Sequence, residues 1–482
     1  MRLVVKNNFI PALLIFGAFL VAMLGFINIY LPFIIFGAVL CFYAFYNPRD
    51  MIYALFFIMF INGYLRIQTG LGNYVALLID IIVGCLYAKL LFDCLFQKKL
   101  NLVIQAPLFS VIFLFGLYCI SRTFNIDISF ASKISGLRSF IYYIPLYLVG
   151  YFYHFDQKHF KRFVSFFMIM ILVLCLYACR QHFSGYTPAE LAYVKQLAQG
   201  GTPYLENEIR VFSMLSTAVD FSCLLAMCIP MAIPWYFSIA QKYRLLYFLG
   251  VIFISSVLSL TFLRSSFVAC GLSVLFLFFL LKQIGYINNK DLLRTLGMGS
   301  LVGIVLLFSL NTLSFNNDKN LDVIWSRVKS VGAITSFVGI TQQSTRARDE
   351  LYSMYDRLNY WKIRISEVQN VFIGQGVGAQ SKIPYSQSAV MDNSYLCIYY
   401  DLGLIGVGFF LCLLCGWLML FMRNLSKVPL LCLMPIGMLV SIMIFFCVST
   451  IIVSPPMRLI TYFCIGMFCR KIKEGDTLTA SN

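Results

Sequence analysis

Runs of about 20 apolar residues, the length that crosses a bilayer as a helix, recur along almost the whole chain. They fall at 9–29, 31–47, 51–65, 73–96, 104–121, 139–154, 163–183, 212–238, 244–263, 265–281, 295–311, 394–421, 429–453 and 458–469. Backbone in hydrocarbon must satisfy its own hydrogen bonds, so runs of this kind are helices. The second, third and last are short, and the pattern predicts twelve to fourteen transmembrane helices. Composition agrees: 60% of the 482 residues are hydrophobic and only 12% are charged, against about a quarter charged in a soluble domain. The expected fold class is an all-α polytopic membrane protein.

The formal net charge is +17, which in a soluble protein would suggest a nucleic-acid partner. Here most cations sit in short gaps between apolar runs, so they read as topology signals, and the expected contact surface is membrane lipid. With a cytoplasmic N-terminus the inside loops include 48–50, 97–103, 155–162, 239–243, 282–294, 422–428 and the tail from Arg470. The outside then receives 66–72, 122–138, 184–211, 312–393 and 454–457, and both termini are cytoplasmic. The first run follows Arg2 and Lys6 as a secretory signal would. Its length, its lack of a small-residue cleavage pattern and the spans after it make it a retained first helix. The 16 cysteines lie in or beside apolar runs and read as small core hydrophobes without a disulfide framework.

Two outside segments exceed simple connections. The shorter, 184–211, contains Gly200, Gly201 and Pro203. The longer, 312–393, separates an N-terminal helix bundle (1–311) from the C-terminal helices and tail (394–482). Long loops in compact folds are usually functional or disordered. Within this one, Leu351, Met354, Tyr355, Leu358, Trp361, Ile365 and Val368 recur at helical spacing, predicting an amphipathic helix over 346–370. Gly374, Gly376 and Gly378 follow it. The chain shows no internal repeat, nucleotide-binding loop or soluble catalytic domain.

The outer side is rich in arginine: Arg66, Arg122, Arg138, Arg210, Arg264, Arg346, Arg348, Arg357, Arg364 and Arg458. Guanidinium groups suit bidentate phosphate contacts. Arg138, Arg210 and Arg264 sit where the chain enters or leaves the bilayer, which is costly without an anionic partner. The set therefore points to a lipid pyrophosphate head, with headgroup snorkelling or ion pairing as the plainer reading of any single member. Asp392 precedes the apolar run from Ser394. It can act as a base toward a hydroxyl or cap the following helix, and Asp392 and Asn393 can divide these tasks. Asp80 and Asp220 lie inside apolar runs, as proton-relay groups or partners of neighbouring helices. No cluster has metal-ligand spacing.

Arg357-Leu-Asn-Tyr-Trp361, Gly374-Gln-Gly376-Val-Gly378, Asp392-Asn-Ser-Tyr-Leu396 and Asp401-Leu-Gly403-Leu-Ile-Gly406 occur in that order. Together they resemble the large periplasmic loop and following helix of the O-antigen ligase and O-antigen polymerase superfamily. Arg210-Val-Phe-Ser looks like that family's other key arginine, and Thr261-Phe-Leu-Arg264-Ser is similar to its Thr-x-Ser-Arg-Ser element. The resemblance implies a lipid-carrier glycosyltransferase-like fold in a bacterial inner membrane. It implies a metal-independent glycosyltransferase without cofactor, whose donor is a glycan on undecaprenyl pyrophosphate. A chain-length regulator and a flippase are the partners it would work beside.

On this resemblance Arg210 and Arg357 would hold the pyrophosphate, Asp392 would orient or deprotonate the acceptor hydroxyl, and Asn393 would position the loop. Arg138, Arg264, Tyr360 and Trp361 would complete the substrate site, the two aromatic residues as sugar platforms or as interface anchors. Ligases of the family carry histidine where this chain has Asp392, which favours polymerisation of repeat units. The alternatives are a ligase that moves finished glycan to lipid A core or protein, a polysaccharide or lipid transporter, and a structural scaffold.

Overall fold

The computed structural model describes residues 37, 39–40, 42–70, 72–97, 99–124, 128–153, 155–198, 204–205, 208–261, 263–286, 359–382, 393–447, 449 and 454–475. Its helices are α1 Pro48–Phe60, α2 Asn62–Thr69, α3 Gly72–Phe96, α4 Leu100–Ile104, α5 Phe109–Ser121, α6 Phe130–Phe140, α7 Leu146–Phe152 and α8 Gln157–Ser184. They continue as α9 Pro188–Ala198, α10 Ala218–Ser238, α11 Gln241–Ser259, α12 Arg264–Gln283, α13 Ser394–Arg423, α14 Pro429–Phe446 and α15 Pro455–Lys473. A two-residue antiparallel pair, Tyr204–Leu205 with Glu208–Ile209, interrupts this order.

Among the described residues, α3, α8, α10, α11, α12, α13 and α14 are long and apolar enough to cross a membrane. The pair α1 and α2, bent by 58° at Ile61, would make an eighth span. The chain is therefore an all-α multi-pass membrane protein. The expected spans 9–29 and 295–311 lie outside the described residues, as do 31–36, 38 and 41 of the run 31–47. The run 139–154 is not one helix: turns occupy 141–145 and only α7 is helical after Pro145. Proline lacks an N–H and disfavours helical backbone at the residue before it. The last run extends beyond its expected limits, as α15.

α10 and α14 are apolar on nearly all sides and form the centre of the bundle. They approach closely at Gly437, where an added Cβ would meet Pro230 at 2.8 Å. α15 packs on α7 through Gly466 and Gly150, whose added Cβ atoms would lie 2.0 Å from the Tyr147 carbonyl oxygen and 2.3 Å from that of Phe463. Small residues let helices in lipid make dense contact without a hydrophobic drive.

Long-range contacts sort the helix termini into two ends. At one, the loop end, Tyr64 bonds Met214, Arg122 bonds Ile373, Ser454 bonds Asp220 and Arg458 bonds Arg138. At the opposite end Tyr53 bonds His159 and Lys473 bonds Gln105.

Candidate functional site

The loop end carries two linked polar structures. The first is built on a break in α13. Gly403 has φ 65° and ψ −168° in the middle of this long helix, a conformation that L side chains rarely adopt. A break strands backbone groups that lipid cannot satisfy, and the segment 370–380 satisfies them. The N–H groups of Gln375 and Gly376 donate to the carbonyls of Tyr400 and Asp401, each at 2.9 Å. The hydroxyl of Tyr118 donates to the carbonyl of Leu402 at 2.7 Å. On the far side of the break, the N–H groups of Leu404 and Ile405 donate to the carbonyls of Val371 (2.9 Å) and Phe372 (3.1 Å).

The glycine cluster is thus a plug for the helix break. The buried carboxylate of Asp401 accepts the N–H of Gly378 at 3.0 Å and of Gln380 at 3.2 Å. Arg122 holds the other face, donating to the Ile373 carbonyl at 3.1 Å. Gly378 also presses on α6: a Cβ there would lie 2.2 Å from the Ser132 carbonyl oxygen. The two glycine-bearing stretches singled out in the sequence interlock, and their residues act here as architecture.

The second structure is a network of charges. Arg138 of α6 meets Asp80 of α3 at 2.7 Å. The hydroxyl of Tyr143 also donates to the Asp80 carboxylate, and that of Tyr142 to the Asp80 carbonyl. Arg458 is buried in α15, with its guanidinium 4.7 Å from the centre of the Tyr143 ring. It donates to the carbonyls of Arg138 (2.7 Å) and Ser139, so it caps the last turn of α6. One turn earlier, Ser454 Oγ donates to Asp220, whose own N–H is capped by Thr217. Asp220 is also within electrostatic reach of Arg66 and Arg458. Arg66 in turn donates to Asn62 at 2.9 Å, and Asn62 to Ser216 at 3.4 Å. Three arginines and two aspartates from α2, α3, α6, α10 and α15 share this end, with positive charge in excess.

Several expected site residues are described. Arg138 belongs to the network. Asn393 is the helix cap: its side chain accepts the N–H of Leu396 at 3.0 Å. Arg210 is half-buried and does not enter a helix, because α10 begins only after the Thr217 cap. Arg264 is the first residue of α12. Trp361 is half-buried against the bundle. Tyr360 engages Arg364, which stacks 4.8 Å from its ring centre and donates to its hydroxyl at 2.8 Å. Burial opposes charge on Arg364, but Glu367 and Tyr360 raise its pKa above the ordinary arginine value. Arg357 and Asp392 lie outside the described residues.

The amphipathic pattern over 346–370 is described only from 359, and helix there ends at 366. Val368 faces inward as expected, but Ile365 is exposed and Arg364 is buried in its stead. The Tyr360 and Glu367 partners of Arg364 make that burial tolerable. Asp80 and Asp220, set in the sequence as relay groups or helix partners, are helix partners in this geometry. Tyr143 escaped sequence reasoning, as nothing marks one tyrosine among 29. The chain matches no family model, and no curated protein matches it.

Proposed function

We propose that this protein polymerises oligosaccharide repeat units carried on undecaprenyl pyrophosphate, at the periplasmic face of a bacterial inner membrane. The observation that carries the reading is the gathering of Arg66, Arg138 and Arg458 from distant parts of the chain at the end that also bears Arg210 and the 359–382 segment. Preorganised positive charge at a lipid boundary suits a diphosphate that gains charge as it leaves. The opposite end, with Lys99, Arg470, Lys471 and Lys473, faces the cytoplasm in this reading.

In the proposed reaction the hydroxyl of the terminal sugar of a new carrier-linked unit attacks the anomeric carbon of the growing chain. The bond from that carbon to the pyrophosphate oxygen breaks, and carrier pyrophosphate leaves against Arg210 and Arg357. Asp392 orients the hydroxyl or takes its proton. Asn393 caps the start of α13. The exposed Ile363, Ile365, Val371 and Phe372 would rest in the acyl boundary beside the lipid substrates.

The test is the surface polysaccharide of a strain lacking this protein, resolved by gel. Single-repeat products support polymerisation. Full polymer retained on the carrier assigns a ligase instead. Complementation with Arg210→Ala or Arg357→Ala should give the deletion pattern while the protein still inserts, and unchanged chain length would overturn the reading.

A further inference from the structure

The backbone that carries Arg210 has no helix to hold it, since residues 210–217 form an irregular turn ahead of α10. Three sets of contacts fix it. Phe212, buried, stacks on Tyr186 with ring centres 5.8 Å apart and packs against Tyr193. α2 supplies the second: Tyr64 N–H donates to the Met214 carbonyl at 2.9 Å, and Gly63 lies so close that a Cβ would fall 2.1 Å from the Leu215 carbonyl oxygen.

The third is centred on Ser213, which has φ 58°, a left-handed backbone that a side-chain-bearing residue adopts only when its surroundings enforce it. Gln181, in the last turn of α8, grips both backbone groups of Ser213. Its Oε1 accepts the Ser213 N–H at 2.8 Å, and its Nε2 donates to the Ser213 carbonyl at 3.2 Å. The Ser213 hydroxyl donates to the Leu174 carbonyl at 2.6 Å.

Gln181 is itself held. Its Nε2 also donates to Glu190 at 2.8 Å, which fixes which end of the amide is oxygen. Glu190 is 1% exposed and accepts from Arg180 (2.9 and 3.2 Å), Tyr177 (2.9 Å) and the Thr187 N–H (2.6 Å). Thr187 and Glu190 also form a reciprocal capping box that starts α9. So the chain runs from a capped helix through a buried carboxylate and an oriented amide to the left-handed turn three residues after Arg210.

We infer that Gln181, oriented by Glu190, is the positioning residue that sets the direction of Arg210 toward the diphosphate, an inference that rests on the proposed function. A guanidinium stabilises a leaving group only when fixed before the reaction, and a small misplacement costs much of the rate. Gln181→Met keeps the length of the side chain and removes its hydrogen bonds.

The experiment compares Gln181→Met, Arg210→Ala and their double variant by polysaccharide chain length per copy of inserted protein, with amide exchange at Ser213 followed in the purified protein. Gln181→Met is expected to lower polymer per copy at least tenfold and to speed Ser213 exchange. The double variant should be no worse than Arg210→Ala, because a positioning residue has nothing left to position. Glu190→Gln keeps Gln181 in place but removes one of the acceptor oxygens that orient its amide, and should lower polymer per copy to a level between wild type and Gln181→Met. Glu190→Gln also carries the test if Gln181→Met fails to insert: wild-type polymer with wild-type Ser213 exchange, in a Glu190→Gln protein that inserts, would overturn the inference. An inactive Arg210→Ala beside a fully active Gln181→Met overturns it alone, as does a double variant worse by the product of the two single effects. An active Arg210→Ala overturns the site reading and this inference with it.

Discussion

A Cβ placed on Gly403 would lie 2.3 Å from the carbonyl oxygen of Phe372. The same atom's backbone has φ 65°. Gly403→Ala therefore combines a backbone penalty of roughly 1–3 kcal/mol, for a conformation essentially confined to glycine, with an overpacking cost of about 1–3 kcal/mol. It should lower the melting temperature in detergent by several degrees. Gly408→Ala on the same helix meets nothing within 4 Å and should leave the melting temperature within error. Equal behaviour of the two variants would count against the interlocked helix break.

Asp401→Asn tests the carboxylate that holds Gly378 and Gln380. An amide offers one acceptor oxygen where the carboxylate offers two, so one buried N–H faces another donor. The expected cost is about 1–3 kcal/mol, and the 370–380 segment should become a protease-cleavage site. Cleavage at the wild-type rate would refute the role given to Asp401.

Asp80→Asn leaves Arg138 and Tyr143 without their shared anion. Arg138 retains some solvent contact, with 36% of its side chain exposed, so the loss should be about 1–3 kcal/mol and not the larger cost of a fully buried unpaired charge. Adding Arg138→Gln should recover part of the stability, because the two changes share one interaction. Strict additivity in a thermal-denaturation cycle would contradict this.

Glu190 gives the pH dependence of the loop end. Burial raises its pKa, but hydrogen bonds from Gln181, Thr187, Arg180 and Tyr177 outweigh burial and leave it below the ordinary value of 4.5. A carboxyl depressed on folding contributes stability that is present above the unfolded value and is lost as pH falls through the folded one. Amide protection at Ser213 should hold at pH above about 4.5 and decline below it. Glu190→Gln should show reduced protection at neutral pH and a flatter profile. A wild-type profile in that variant would remove Glu190 from the chain of contacts.

Much of the fold was legible because lipid imposes a one-dimensional rule. The helices α3, α8, α11 and α12 nearly coincide with their apolar runs, since length and hydropathy alone decide whether a segment can sit in hydrocarbon. The boundaries that failed did so at local backbone events: the Thr217 cap that delays α10, Pro145 that shortens α7, and the bend at Ile61. The site was legible in part. Asn393 and the arginines at the loop end are marked by type and position, and Thr187-x-x-Glu190 is a capping-box signal for the start of α9.

The sequence by itself determined that this chain lives in a membrane and which residues bring charge to the loop end. Only the tertiary structure decided which charges meet. Asp80 and Arg138 stand 58 positions apart, and Arg458 reaches the α6 carboxyl end from 320 positions away. Partner choice across such separations follows from how helices pack and where their broken backbone bonds must be satisfied, and neither is written in the order of residues along any one helix.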